Sequence, residues 1–88
     1  MAGNQELFQK AMNQGHSAAW DQLWDKAAAY YRQALEEIPN HPKALISIGL
    51  ALYETQHYEE ALRYYQRASI AAQEDPVPME KVAQLFER

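Results

Sequence analysis

The stretch WDKAAAYYRQA at residues 24–34 returns as YEEALRYYQRA at residues 58–68, 34 positions later. Sliding the chain along itself by that interval puts Gly15 on Gly49, Ala27 on Ala61, Tyr30 on Tyr64, Tyr31 on Tyr65, Ala34 on Ala68 and Pro42 on Pro76. Trp24 falls on Tyr58 and Asp25 on Glu59, and one further step puts Gly49 on Ala83 and Leu52 on Phe86. The matches fall at turns, small residues and aromatics, where the distance between packed helices is decided. A phrase that recurs in this way marks a structural unit that buries its apolar face against the next copy of itself.

Within each unit the apolar residues keep helical period. Trp20, Leu23, Trp24, Ala27, Ala28, Tyr31, Ala34, Leu35 and Ile38 recur at three- and four-residue steps in the first half. Leu45, Ile48 and Leu52, then Tyr58, Ala61, Leu62, Tyr65 and Ala68, do so in the second. No stretch alternates with period two for long enough to make a strand. IPNHP at 38–42 and EDPVP at 74–78 break the pattern, because a helix interior tolerates neither proline's missing N–H nor its ring. Pro42 suits the first turn of a helix, and Asp75 is placed to cap one ahead of Pro76. Softer breaks at Asp21-Gln22 and Thr55-Gln56-His57 hold no Gly or Pro and read as tight turns. Five helices follow, at about 5–20, 24–37, 43–55, 58–72 and 77–87, and short connections make neighbours antiparallel.

The unit resembles the tetratricopeptide repeat, a 34-residue antiparallel helix pair. Residues 42–76 carry the pattern best. Leu45 stands where the family usually has Trp, Ile48 at the following Leu, Gly49 at the small residue of the first helix and Leu52 in the next aromatic slot. Tyr58, Ala61, Tyr65 and Ala68 match the aromatic–small–aromatic–small series of the second helix. Gln56 departs from a common turn Gly, and Gln73 from a common closing Pro, so that helix is expected to run on to near Glu74-Asp75. Residues 8–41 match well in their second helix and closing Pro39 but poorly in the first, where Ala11 and Gln14 occupy the large apolar slots.

The resemblance implies an all-α fold: one domain over residues 1–88, a right-handed α-solenoid of two antiparallel helix pairs plus a C-terminal capping helix. Repeat one takes about 8–41, repeat two about 42–75, and 76–88 is the cap or a truncated third repeat. Met79, Val82 and Phe86 on the last helix would cover Tyr65 and Ala68. Ala83 and Leu85 offer apolar surface on its far side, so a piece excised from a longer array is the first expectation and a solvating cap the second. Close helix approach should bring Gly49 to Ala61 and Gly15 to Ala27, with Trp24, Tyr31, Tyr58 and Tyr65 filling the space around them.

Little in the residues points to chemistry. The chain has no cysteine, so disulfides, thiol catalysis and thiolate metal sites are out of reach. His16, His41 and His57 show neither an HExxH motif nor an i, i+4 pairing, which leaves no metal site to propose. Glu36-Glu37 and Glu59-Glu60 sit on outward helix faces with no burial to shift a pKa. Ser17, Ser47 and Ser69 lie mid-helix, without the elbow of a nucleophile. A formal charge of −4 argues against a phosphate-neutralising surface, and the recurrence of Tyr30-Tyr31 as Tyr64-Tyr65 reads as packing rather than base stacking. No apolar run reaches membrane-span length, and MAGNQELFQK lacks the basic flank and apolar stretch of a secretory signal. The expectation is a non-enzymatic, cytoplasmic protein with no cofactor.

What remains is surface. In the fold that the resemblance implies, first helices line a concave groove. Helix phase then assigns Gln9, Met12, Asn13, His16 and Trp20 to that groove from the first repeat. Lys43, Ile46, Ser47, Leu50, Tyr53 and Glu54 come from the second, and Val77, Glu80, Lys81 and Gln84 from the last helix. Ile46, Leu50 and Tyr53 lie off the Leu45–Ile48–Leu52 stripe, either as a contact patch or as packing at the groove floor. Some relatives grip a peptide carboxylate through a Lys/Asn/Arg clamp; the matching places here are Met12, His16, Ser47, Val77 and Lys81, of which only Lys81 is a strong cation. The expected function is a protein-interaction scaffold that receives a partner peptide or helix, with no nucleic-acid or membrane partner. The alternative is a structural segment of a longer array, or a module that self-associates weakly through its open ends.

Overall fold

The computed structural model describes residues 4–74, and these form α1 (Gln5–Trp20), α2 (Trp24–Glu37), α3 (Pro42–Glu54) and α4 (Tyr58–Glu74). Among the described residues there is no strand. The helix expected at 77–87 lies outside them. Pro42 opens α3 as expected, so that helix starts and ends one residue earlier than the sequence predicts. Helix α4 runs to Glu74, as the missing closing proline implies.

Helices pack chiefly in chain order: α1 on α2, α2 on α3, α3 on α4. Connections over 21–23, 38–41 and 55–57 are too short for anything but antiparallel neighbours. It follows that α1 and α3 run parallel, and that the turns at 21–23 and 55–57 lie at the same end of the molecule.

Those two turns are built alike. The N–H groups of Gln22 and Leu23 reach back to the carbonyls of Ala19 (2.9 Å) and Ala18 (2.8 Å), and those of Gln56 and His57 to Tyr53 (3.0 Å) and Leu52 (2.8 Å). This is the Schellman closure, which satisfies the last carbonyls of a helix and needs a left-handed residue at its corner. Gln22 (φ 62°) and Gln56 (φ 67°) take that corner, 34 positions apart. Leu23 and His57 then accept from the N–H groups of Ala27 and Ala61, both at 2.9 Å, so one residue ends a helix and starts the next. Thr55 adds a hydroxyl bond to the Leu52 carbonyl at 3.0 Å.

The core runs along the helix seams and, apart from the tyrosines, contains no buried polar or charged side chain among the described residues. Its centre is Ala27, Ala34, Ala44, Leu45, Ile48, Ala51 and Ala68, all fully buried. The sequence pairs each glycine with an alanine of the following helix; the structure puts an aromatic ring there first. A Cβ built on Gly15 would collide with Cε1 of Tyr31, and one on Gly49 would lie 2.7 Å from Cε1 of Tyr65. Both tyrosines are buried while their neighbours Tyr30 and Tyr64 stay partly wet, as expected for paired tyrosines on a packed helix.

Repeat one draws its large core side chains from other positions. Ala11 and Gln14 stand where repeat two has the buried Leu45 and Ile48, Gln14 is exposed, and the large side chains that α1 gives to the core are Phe8 and Met12. Met12 is 4% exposed, so its place among groove residues is corrected: its flexible thioether fills the core instead. Tyr58 is also corrected. It is 55% exposed and meets Tyr53 edge-on at 5.2 Å rather than filling space between helices.

Two stability measurements test this account. Gly49→Ala should cost about 1–3 kcal/mol against the intact Tyr65 ring. In a Tyr65→Leu background the same change should be neutral or stabilise by up to about 1 kcal/mol of helix propensity. Urea melts of the four proteins read that reversal of sign. Gln56→Gly removes the Cβ from a left-handed corner and should raise stability by about 1 kcal/mol, visible as a higher Tm.

Candidate interaction surface

The first helices, α1 and α3, carry the described residues assigned to the groove. Gln9, Asn13, His16 and Trp20 on α1 are exposed, as are Lys43, Tyr53 and Glu54 on α3. Ile46, Ser47 and Leu50 are partly buried. Val77, Glu80, Lys81 and Gln84 lie outside the described residues. Ile46 rests on the small cluster of Leu45, Ala68 and Ala71, so part of its surface serves the fold. Gln9 Nε2 donates to Asn13 Oδ1 at 3.1 Å along α1.

His16 does more than decorate α1. Its Nδ1 lies 2.8 Å from the Tyr31 hydroxyl, and the two rings meet edge-on with centroids 5.4 Å apart. The ring that seats on Gly15 is therefore tethered at its polar tip to the next residue along α1. Burial pushes the Tyr31 phenol above its ordinary value of 10.0, because an anion there would lose its water.

At the end where the two tight turns lie, large apolar side chains are open to solvent. Trp20 is 89% exposed, Leu23 46% and Tyr53 42%, beside the Tyr58 already described. The groove assignment included Trp20 and Tyr53 but passed over Leu23 and Tyr58, which the repeat pattern had placed among packed residues. The opposite end, where Leu7 and Ile70 are also exposed, is held by polar contacts. Arg67 Nη2 donates to the Pro39 carbonyl (3.3 Å) and to Asn40 Oδ1 (3.4 Å), and its guanidinium stands 5.3 Å from the Tyr64 ring centre. There the backbone N–H of Asn4 donates to Glu37 Oε1 at 3.2 Å, and Phe8 stacks against His41 at 4.6 Å. These contacts hold helix ends together and offer no reactive group.

Among the described residues no three His, Asp or Glu side chains gather to hold a metal ion, and no helix is long and apolar enough to cross a membrane. A family model for the tetratricopeptide repeat matches residues 21–85, most of the chain. The chain belongs to the tetratricopeptide-repeat family. No curated protein and no solved structure matches it significantly. The family match starts at the α1–α2 turn and leaves out α1, the helix whose large apolar slots hold Ala11 and Gln14. Tetratricopeptide repeats are in general non-catalytic modules that bind proteins or peptides, and the helix pairs seen here are the unit they share.

The raised Tyr31 phenol sets an alkaline limit. Its protonated form is favoured by folding, so the stabilisation is complete below 10.0 and is lost as pH rises from there through the folded-state value. The Tm of the wild-type protein should fall across that range more steeply than that of Tyr31→Phe, and a calorimetric pH series checks it.

Proposed function

We propose that the domain is a non-catalytic scaffold that receives a peptide or helix of a partner protein on the face shared by α1 and α3. In this reading the face is the concave side of a right-handed solenoid of two helix pairs, which residues 76–88 close or continue, in a cytoplasmic protein. The observation that carries it is on α3. Leu45, Ile48 and Leu52 complete the core stripe of that helix and are buried, yet Leu50 and Tyr53 lie off the stripe and keep apolar surface open to solvent. Polar groups stand close by in sequence phase: Ser47 and Glu54 on α3, and Asn13 and His16 on α1. A mixed apolar and hydrogen-bonding strip on two parallel helices suits an amphipathic helix or an extended peptide.

A second reading, continuation of a longer array, has one observation in its favour. Leu62 is 49% exposed although Ala28, 34 positions earlier, is buried, so α4 offers apolar surface where α2 is covered. The α1 side differs. A repeat stacked there as α3 stacks on α2 would bury Lys10 and Gln14, where α3 buries Ala44 and Ile48.

A photo-crosslinking residue at Asn13 or Ser47 should capture a partner that the same group at Gln33 or Gln66, on α2 and α4, does not. Leu50→Asp should reduce that capture about tenfold, with little change in Tm. Capture from α2 and α4 with none from α1 and α3 would overturn the groove reading. Capture that survives Leu50→Asp would favour the array reading.

A further inference from the structure

We infer that the turn end of the molecule is a second docking surface, which adjoins the α1–α3 face at Trp20 and Tyr53, for a basic segment of a partner protein that carries an apolar anchor. Four side chains carry the inference: Trp20, Leu23, Tyr53 and Tyr58, all open to solvent. They come from the last turns of α1 and α3 and the starts of α2 and α4, which the antiparallel topology brings to one end. None is needed to complete the core. Tyr53 and Tyr58 pack edge-on at 5.2 Å across the 55–57 turn and form a ready-made aromatic corner.

The charge around this corner is lopsided. Segments 17–27 and 51–61 hold Asp21, Asp25, Glu54, Glu59 and Glu60, and their only lysine or arginine is Lys26. Three of those acids have an explanation in the fold. Asp25, Glu59 and Glu60 occupy the first turns of α2 and α4, where negative charge meets the positive pole of the helix. Asp21 and Glu54 have none. Asp21 is the C-cap of α1 and Glu54 the last residue of α3, so both stand at negative helix poles, and neither helix has a basic residue in its last turn. Charge placed against the helix dipole costs the fold stability. A cationic partner turns that cost into attraction. Glu60 also meets Arg32 at 3.8 Å, an exposed pair too weak to silence the edge.

The occupant follows from these two features together. Arginine and lysine answer the acids and lie well over the faces of Trp20 and the tyrosines, while an apolar side chain covers Leu23. Phosphate-bearing surfaces, whether nucleic acid or anionic lipid, are repelled by the same acids.

The test uses the full chain and a short amphipathic peptide of arginine and leucine, with a control in which glutamate replaces arginine. Amide shift changes should gather in 17–27 and 51–61, and the control should leave them unmoved. Asp25→Lys with Glu59→Lys should weaken binding about tenfold, and so should Leu23→Ser with Tyr58→Ala. All four positions are exposed, so circular dichroism should show the fold intact. The α1–α3 face is tested separately, because Leu50→Asp leaves this binding unchanged. Equal binding of the control, survival of binding without Leu23 and Tyr58, or peptide shifts confined to Ile46 and Leu50 would each overturn the inference. Shifts in 17–27 and 51–61 that depend on protein concentration in the absence of peptide would overturn it too, by showing a second copy of the chain as the occupant.

Discussion

Each helix pair depends on a tyrosine ring seated against a glycine backbone. Gly15 with Tyr31 and Gly49 with Tyr65 bring large, flat surfaces close to the first helix of each pair, where any Cβ would intrude. The ring brings a large apolar surface to the crossing, and the glycine lets it in. Everything else is arranged around that contact. Ala27 and Ala61 are buried one helical turn before the rings, and Ala34 and Ala68 are buried where the chain runs on along the same face. The turns serve it as well. A three-residue connection fixes how far α2 slides along α1, and the left-handed Gln22 and Gln56 make so short a connection possible.

Repetition of sequence does not mean repetition of environment. Helix α2 is flanked by α1 and α3, whereas among the described helices α4 packs chiefly on α3. Trp24 is therefore partly buried and its counterpart Tyr58 is open; Ala28 is buried and its counterpart Leu62 is open. The reverse holds on the first helices. Repeat two buries Leu45 and Ile48, and repeat one offers Ala11 and Gln14 at those places, with Phe8 and Met12 as the large side chains that α1 gives to the core. A core tolerates such redistribution as long as total volume and apolar character are kept.

This is also why the fold was more legible in the sequence than the surface. Reading by helix phase, proline placement and repeat pattern locates both tight turns, the opening of α3 at Pro42, the extension of α4 and the inward member of each tyrosine pair, because each depends on local chain chemistry or on contacts that every repeat makes. It fails where a residue's fate depends on which neighbours are present. Met12 and Tyr58 were misplaced for that reason: helix phase says which way a side chain points and not what stands opposite it. The ring against each glycine is missed for a different reason. The sequence shows that a position is small without showing whether the space is left for another small residue or for a ring.

With no polar or charged residue buried among the described residues apart from the tyrosines, the interior settles which helices pair and where, and the exterior is left to settle what the module meets. Several surface residues here have a structural account: Arg67 pins the α2–α3 connection, Asn4 caps α1 through the Leu7 N–H, and Thr55 closes α3. Trp20 and Glu54 have none. A tryptophan left almost wholly in water, and a carboxylate at the wrong pole of its helix, are disfavoured by the fold for opposite reasons, one apolar and one electrostatic. Both lie at the end where the turns repeat. A structural unit copied for packing should accumulate residues that help it pack; residues that hinder it, gathered in one place, mark where contact with another molecule has outweighed stability.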